Sequence, residues 1–248
     1  MSESSPWEAL PRYFSYERAS TPRQLEEIFR LRYEVYCREF AFERPEDCPG
    51  AMETDEYDAV SLHCLLRHAR SRTVAGCVRV IVPPDKGSEL PMAAFCGDSL
   101  EPGPFHPGNH PKDRICEISR LAVTARFRCR PGEKRSPVGN PDPDGVDDRE
   151  ARTLPLIGIS MFVAAAALVR VAKREHVYAM MEPKLARLLG RCGIHFQQIG
   201  EIVDYHGTRA PYYIHLQQAE RDGNANLQML YAFMLGQLDG SDPSKAGF

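Results

Sequence analysis

The sequence predicts an α/β fold in which a mixed sheet of about six strands is covered by helices on both faces, and three stretches carry that prediction. Ser61 to His68 and Val74 to Val82 alternate apolar and polar residues around a short polar turn, which is a hairpin pattern. Ile115 to Val123 is apolar on both parities, as a central strand buried on both faces must be. Leu154 to Val169 is sixteen residues without a charge, followed by strand, helix, strand and strand patterns.

In chain order, Thr21 and Pro22 form a helix start, with Thr21 as N-cap and Pro22 in the first turn. Apolar residues at helical spacing then carry one amphipathic helix to about Glu39 and place Arg32 and Tyr36 on one face. A Gly- and Pro-marked loop ends in Glu53-Thr54-Asp55-Glu56-Tyr57-Asp58, four carboxylates in six residues. The hairpin follows, with Arg79 in its second strand. Pro83-Pro84 stops that strand, and a long proline-rich connection with one apolar patch, Leu90 to Phe95, leads to the central strand. Beyond it, Arg126 to Arg135 holds five basic residues in ten, Arg126, Arg128, Arg130, Lys134 and Arg135. A Pro-, Gly- and Asp-rich stretch near 131–150 reads as a flexible insertion. The uncharged helix runs to about Glu175. His176 to Met181 is a strand, Lys184 to Arg191 a helix, and strands are expected around Phe196 to Tyr205 and Tyr212 to Leu216. The fold domain thus spans 1–216. Residues 217–248 add a helical stretch, Leu227 to Leu235, and a tail from Gly236 expected to be disordered.

Composition excludes several classes. With 43% apolar and 26% charged residues the chain can bury a sizeable core. A formal net charge of -3 gives no global reason to bind nucleic acid. The eight cysteines show neither C-x-x-C pairs nor zinc spacing, so they read as reduced thiols with no metal site. Met1 to Arg12 is acidic and polar where a signal peptide needs a basic start and an apolar run, which points to a cytoplasmic chain. The uncharged helix falls short of the roughly 20 residues a bilayer requires and is followed by Arg170, Lys173 and Arg174, so it reads as a buried core helix, not a membrane segment.

The charged residues inside apolar strands need a reason. Glu117 and Arg120, three apart, would point to opposite faces of a regular strand; a bulge or a splayed end between them would let both line one cleft and free backbone N–H groups for an oxyanion. Arg79 must likewise be paired or face a cleft, because a lone buried cation is very costly. A structural ion pair would account for Glu117 and Arg120 equally, and a solvated acidic loop for residues 53–58.

The element order and the pieces Leu31-Arg32-Tyr33-Glu34-Val35-Tyr36, Glu53 to Asp58, Arg79, Leu90-Pro91-Met92 and Glu117 to Val123 resemble the GNAT acyltransferase fold. Within it they are similar to the autoinducer (acyl-homoserine lactone) synthases and the long-chain N-acyl amino acid synthases, above all the acyltransferases found beside bacterial PEP-CTERM/exosortase systems. The resemblance covers roughly residues 13–216. It implies an enzyme that moves a long-chain fatty acyl group from an acyl carrier protein thioester to the amine of an amino acid or related small acceptor, with no bound cofactor. Glu117 would be the base, Ser119 or a nearby N–H the oxyanion donor, and Arg120 the orienting cation. Arg32, Tyr36, Asp55, Asp58 and Arg79 would bind the acceptor. Phe162 and the alanines of the long helix would leave room for the fatty chain, or simply pack the core.

Two departures bear on the donor and the acceptor. The coenzyme A pyrophosphate loop, Q/R-x-x-G-x-G/A at the start of the long helix, is missing. That favours acyl carrier protein over acyl-CoA as donor and makes Arg126, Arg128, Arg130, Lys134 and Arg135 a candidate docking surface, the alternative being a solvated basic loop. The synthases' tryptophan after the first helix is replaced by Phe40 or Phe42. Alternatives are an acyl-homoserine lactone synthase and a non-catalytic domain that senses acyl carrier protein or lipid. Peripheral membrane association through a lipid product is compatible with each.

Overall fold

The computed structural model describes residues 5–84, 89–128 and 148–239. Helix α1 (Pro6–Tyr13) opens on a capping box between Ser5 and Glu8 and leads into strand β1 (Phe14–Arg18). Helix α2 (Pro22–Arg32) starts at Thr21 as expected, its hydroxyl accepting from the Gln24 N–H, and continues as a π-helical stretch, Tyr33–Glu39. Strands β2 (Ser61–His68) and β3 (Val74–Ile81), short helix α3 (Pro91–Cys96) and strand β4 (Ile115–Val123) follow. After α4 (Asp148–Ala151) come the core helix α5 (Ile157–Val171), β5 (His176–Met181), α6 (Pro183–Arg191), the two-residue strands β6 (Gln197–Gln198) and β7 (Val203–Asp204), β8 (Thr208–His215), α7 (Leu216–Asp222) and α8 (Ala225–Leu238).

Among the described residues these strands form one eight-stranded sheet of order β1-β2-β3-β4-β5-β8-β6, with β7 paired to β8. Its one parallel pair is β4–β5, and every other pair is antiparallel. Six strands were expected. β1 is an added edge strand whose buried Phe14 and Tyr16 alternate with partly exposed Ser15 and Glu17. The strand expected over 196–205 is broken because Gly200 turns aside to meet Ser99. A Cβ at Gly200 would lie 2.1 Å from the Ser99 carbonyl oxygen, and that oxygen accepts from the Glu201 N–H at 2.8 Å.

Helix α5 is buried around nearly its whole circumference, because strands β2, β3 and β4 lie under one side and α8 over another. An 18-residue window of helical residues Arg149–Val171 is apolar enough to cross a membrane, with a mean hydropathy of 2.1, yet 72% of it is buried inside the protein. Tyr16 ties β1 to this helix by a hydrogen bond from its hydroxyl to Ser160 Oγ at 2.7 Å. Each fully buried Leu, Val or Phe at this contact contributes about 1.5–3 kcal/mol. The C-terminal stretch is thus two helices, and α8 extends to Leu238, three residues past the expected end at Leu235. Of the insertion expected near 131–150, residues 131–147 lie outside the described residues, whereas 148–150 are helical.

Candidate active site

Strand β4 is where the sheet opens. It pairs with β5 only from Ile115 to Glu117, after which the two strands part. On its other side, Ser119 faces Arg79 and Ala122 faces Cys77, so Arg120 and Leu121 together oppose Val78. This β-bulge puts Arg120 at φ +50°. A bulge was expected between Glu117 and Arg120; it lies at Arg120 and Leu121, just past the regular pairing of Glu117 to Ser119, and a splayed strand end lies beside it. Glu117, Ser119 and Arg120 all line one cleft of about 410 Å³, roofed by Tyr36, Phe42, Tyr57, Met92, Tyr205 and His206.

Glu117 is 3% exposed, and its Oε2 accepts a hydrogen bond from the Met92 backbone N–H at 2.9 Å. Burial raises its carboxyl to about 7, against the Met92 N–H and the charges of Arg79 and Arg120, which act to lower it. No ion pair to Glu117 occurs among the described residues, so it is a carboxylate poised near neutrality. Ser119 Oγ accepts from Arg79 Nε at 3.0 Å, which leaves its own hydroxyl hydrogen free to point into the cleft.

Behind Glu117 stands a charged wall. Arg32 bonds Glu53 and, at 2.6 Å, Asp58; Arg79 bonds Asp58 at 2.7 Å and Asp55 at 2.9 Å; Arg120 bonds Glu53 at 2.9 Å and Asp55 at 3.2 Å. The same aspartates shape their own turn: Asp55 accepts from the Tyr57 N–H and Asp58 from the Asp55 N–H, both at 2.9 Å. Burial works to raise the Asp58 pKa, but Arg32 and Arg79 hold it down at about 2. Asp55 and Glu53 are lowered for the same reason, each against its own burial. Burial in turn lowers neighbouring His63 to about 4, so it sits here as a neutral ring.

The structure thus brings Arg32, Asp55, Asp58 and Arg79 into one network. Arg32 is fully buried and does not reach the cleft, whereas Arg79 and Asp55 line it. Tyr36 also lines it, and its hydroxyl donates to the Leu121 carbonyl at 2.8 Å. Tyr36 sits in the π-helical stretch that directly follows Arg32. Phe42, stacked on Tyr36 with ring centroids 6.3 Å apart, is the aromatic at the cleft; Phe40 packs under Arg128 instead. Glu53, the shared partner of Arg32 and Arg120, belongs to the acidic run but carried no signal separating it from its neighbours. Arg209, Tyr205 and His206, from the last turn and strand, were missed as site residues.

The expected docking surface needs correction. Arg128 is 1% exposed, paired with Glu39 and lying 4.5 Å over the Phe40 ring, so its charge is not offered to a partner. Arg126 is exposed. Arg130, Lys134 and Arg135 lie outside the described residues.

At the parting of β4 and β5, between Ile118 to Leu121 and Ala179 to Glu182, lies a passage of about 70 Å³ that shares Ile118, Ser119 and Arg120 with the cleft. On the α5 side lies an apolar cavity of about 100 Å³, lined in part by Leu227, Gln228 and Tyr231 of α8. Ile118 lines all three spaces, and Phe162 lines the passage and the cavity. The cleft is on the face of the sheet that carries Glu117 and Ser119, the cavity on the opposite face. Of metal-ligating groups among the described residues, Glu175, His176 and His215 have ligand atoms within 4.8 Å of one another. They lie at the start of β5 and the end of β8, away from the cleft.

Residues 31–135 match the acetyltransferase (GNAT) domain family. No curated protein matches the chain in sequence. Among solved structures, TofI, crystallised in a ternary complex with an inhibitor and MTA, aligns with 87% of this chain and 96% of its own at 18% identity and TM-score 0.58. FeeM, an N-acyl amino acid synthase from uncultured soil microbes, aligns over 85% and 94% at 11% identity and TM-score 0.55. BjaI, a CoA-dependent acyl-homoserine lactone synthase solved with SAM and isopentyl-CoA, aligns over 89% of each chain at 18% identity and TM-score 0.54. The chain thus matches a GNAT acetyltransferase domain over residues 31–135 and has the fold shared by acyl-homoserine lactone synthases and an N-acyl amino acid synthase.

Proposed function

We propose that this protein transfers a long-chain fatty acyl group from an acyl carrier protein thioester to the amine of an amino acid or related small acceptor. The observation that carries the reading is the row of three spaces with shared walls, a polar cleft holding a buried carboxylate, the gap at the split sheet and an apolar cavity, all lined by Ile118. A thioester at the split has its hydrocarbon toward Phe162 and its carbonyl beside Ser119 and the bulge, with the amine on the Glu117 side. Holding two reactants in that geometry removes much of the entropic barrier.

The chemistry needs little else. Glu117 takes one proton from the acceptor ammonium, and the amine nitrogen attacks the thioester carbonyl carbon. The tetrahedral oxyanion is met by the Ser119 hydroxyl or a backbone N–H freed at the bulge. The attack forms the C–N bond, and collapse of the oxyanion re-forms the carbonyl and breaks the C–S bond. The departing thiolate takes the second amine proton, and Glu117 returns the first to solvent. The charged wall of Arg79, Asp55, Asp58 and Arg120 holds the acceptor side of the cleft in shape.

The carrier protein, small and acidic, would dock through the exposed charge of Arg126, with Arg130, Lys134 and Arg135 adding to the basic run of the sequence. Incubating the protein with acyl carrier protein loaded with a long chain, and separately with acyl-CoA, together with a set of amino acids tests the reading by mass spectrometry. N-acyl amino acids are expected, made faster from the carrier at low salt, where the Debye length is about 10 Å at 0.1 M. Arg126→Glu with Arg130→Glu should raise the KM for the carrier more than tenfold and leave that for a small thioester nearly unchanged. Lactones formed from S-adenosylmethionine would instead identify an acyl-homoserine lactone synthase. No acyl product with any donor would overturn acyl transfer altogether.

A further inference from the structure

Arg32, Arg79 and Arg120 are each bound to at least two carboxylates of the wall. Arg209 is the exception. It lines both the cleft and the passage through the split sheet. Its Nε donates to the His206 carbonyl of its own turn at 3.3 Å, and its guanidinium carbon stands 5.8 Å over the Phe42 ring. Among the described residues no carboxylate forms an ion pair with it, although Glu43, Asp55, Glu56, Glu117 and Glu182 line the same two spaces. Its place on β8 follows from register: Met180 pairs with Pro211 and Met181 with Ala210, so Arg209 stands just past the end of β5. Tyr213, two steps of two residues along the strand, packs with Leu90 and Met92 on the Glu117 face, so Arg209 belongs to that face too.

A half-buried guanidinium with free N–H donors in a walled cleft is a receptor for a planar anion. Its position decides which anion. The phosphate of a phosphopantetheine arm lies a full arm's length from the thioester, whereas Arg209 borders the passage where the thioester must react.

We propose that Arg209 binds the carboxylate of the acceptor, and that the acceptor is therefore an α-amino acid held as a zwitterion, its ammonium toward Glu117 and its carboxylate toward Arg209. This rests on the acyl-transfer reading above and names its acceptor class. The Nη donors of Arg209 orient the carboxylate, and the two charges of the substrate fix which way the amine faces the thioester.

The experiment compares α-amino acids with their primary amides as acceptors, for wild type, Arg209→Ala and Arg209→Lys, with a palmitoyl carrier protein as donor. Wild type should prefer the acid, and Arg209→Ala should lower the acid-to-amide ratio of kcat/KM by roughly 10- to 100-fold, the value of a charge-assisted bond. Arg209→Lys, which keeps the charge but not the fork, should recover part of that ratio. An unchanged ratio in Arg209→Ala overturns the proposal, as does a rise in KM for the carrier with acid and amide used equally. Should no acceptor be acylated, acyl transfer fails separately. The site is then read by thermal shift with N-palmitoylglycine against its primary amide: a larger shift with the acid, lost in Arg209→Ala, supports the assignment, and equal shifts overturn it.

Discussion

The Met92 backbone N–H is the one hydrogen-bond donor that reaches the Glu117 carboxylate among the described residues, at 2.9 Å. One neutral donor does not offset complete burial, and the carboxyl is therefore pushed up to about 7. A base works best when its pKa lies near the operating pH. Glu117→Gln keeps the shape and the Met92 contact but removes the base, so turnover should fall by about 100- to 10,000-fold. In the wild type, kcat/KM should rise with pH and level off above about 7. Turnover within a fewfold of wild type in the variant, or a flat profile from pH 5 to pH 8, would remove Glu117 from the mechanism.

The same shift has a stability signature of definite sign. The folded pKa of Glu117 lies above the usual 4.5, so the folded state binds its proton more tightly than the unfolded one. Below the unfolded value the carboxyl is neutral in both states and its ionisation costs nothing. As pH rises through about 7 the buried anion destabilises the fold by up to about 3 kcal/mol. Glu117→Gln should therefore raise Tm at pH 8 and leave it unchanged at pH 4, as read by calorimetry. An equal or lower Tm at pH 8 would mean that the anion is not desolvated.

Much of this was legible in the sequence. The hairpin, the central strand and the core helix follow from periodicity, and the need for a bulge follows from Glu117 and Arg120 at a spacing a flat strand cannot reconcile. Other features were not legible. The π-helical stretch leaves the helical pattern of residues 25–39 intact, so periodicity alone does not announce it. The burial of Arg128 depends on Glu39 and Phe40 meeting it from a distant helix end, which a run of basic residues cannot announce. Arg209 sat in what read as a plain turn, because its meaning lies in the partner it lacks.

Asp58 accepts from both Arg32 and Arg79, so the wall is a single network whose members should not contribute independently. Removing one partner of a buried pair leaves an uncompensated charge, at roughly 3–5 kcal/mol. Asp58→Ala and Arg79→Ala should each approach that loss, and the double variant should lose less than the sum by at least about 1 kcal/mol in urea unfolding. The network also sets the acid limit. The Asp58 pKa is depressed to about 2, so its contribution is complete above the ordinary carboxylate pKa near 4 and is lost as pH falls toward 2. Additive single losses would show that the two side chains do not share a network.

The apolar cavity beyond Phe162 should act as a ruler for the acyl chain. Its wall on α5 includes Ala166, a small side chain facing α7 and α8 across about 100 Å³ of empty space. Each buried methylene of a substrate contributes about 0.8 kcal/mol, so a chain that cannot seat its last two carbons loses roughly 15-fold in affinity. Ala166→Leu fills part of the cavity and Ala166→Phe most of it, without touching Glu117 or the charged wall. Overpacking a filled core costs about 1–3 kcal/mol, but here the added atoms enter empty space, so Tm should hold. Offered a mixture of carrier proteins loaded with saturated chains of graded length, the leucine variant should shift its products toward shorter chains, and the phenylalanine variant further. Total turnover on the shortest chain should stay near that of wild type. An unchanged product distribution in two folded variants would place the hydrocarbon elsewhere, and the split between β4 and β5 would lose its role as the acyl passage.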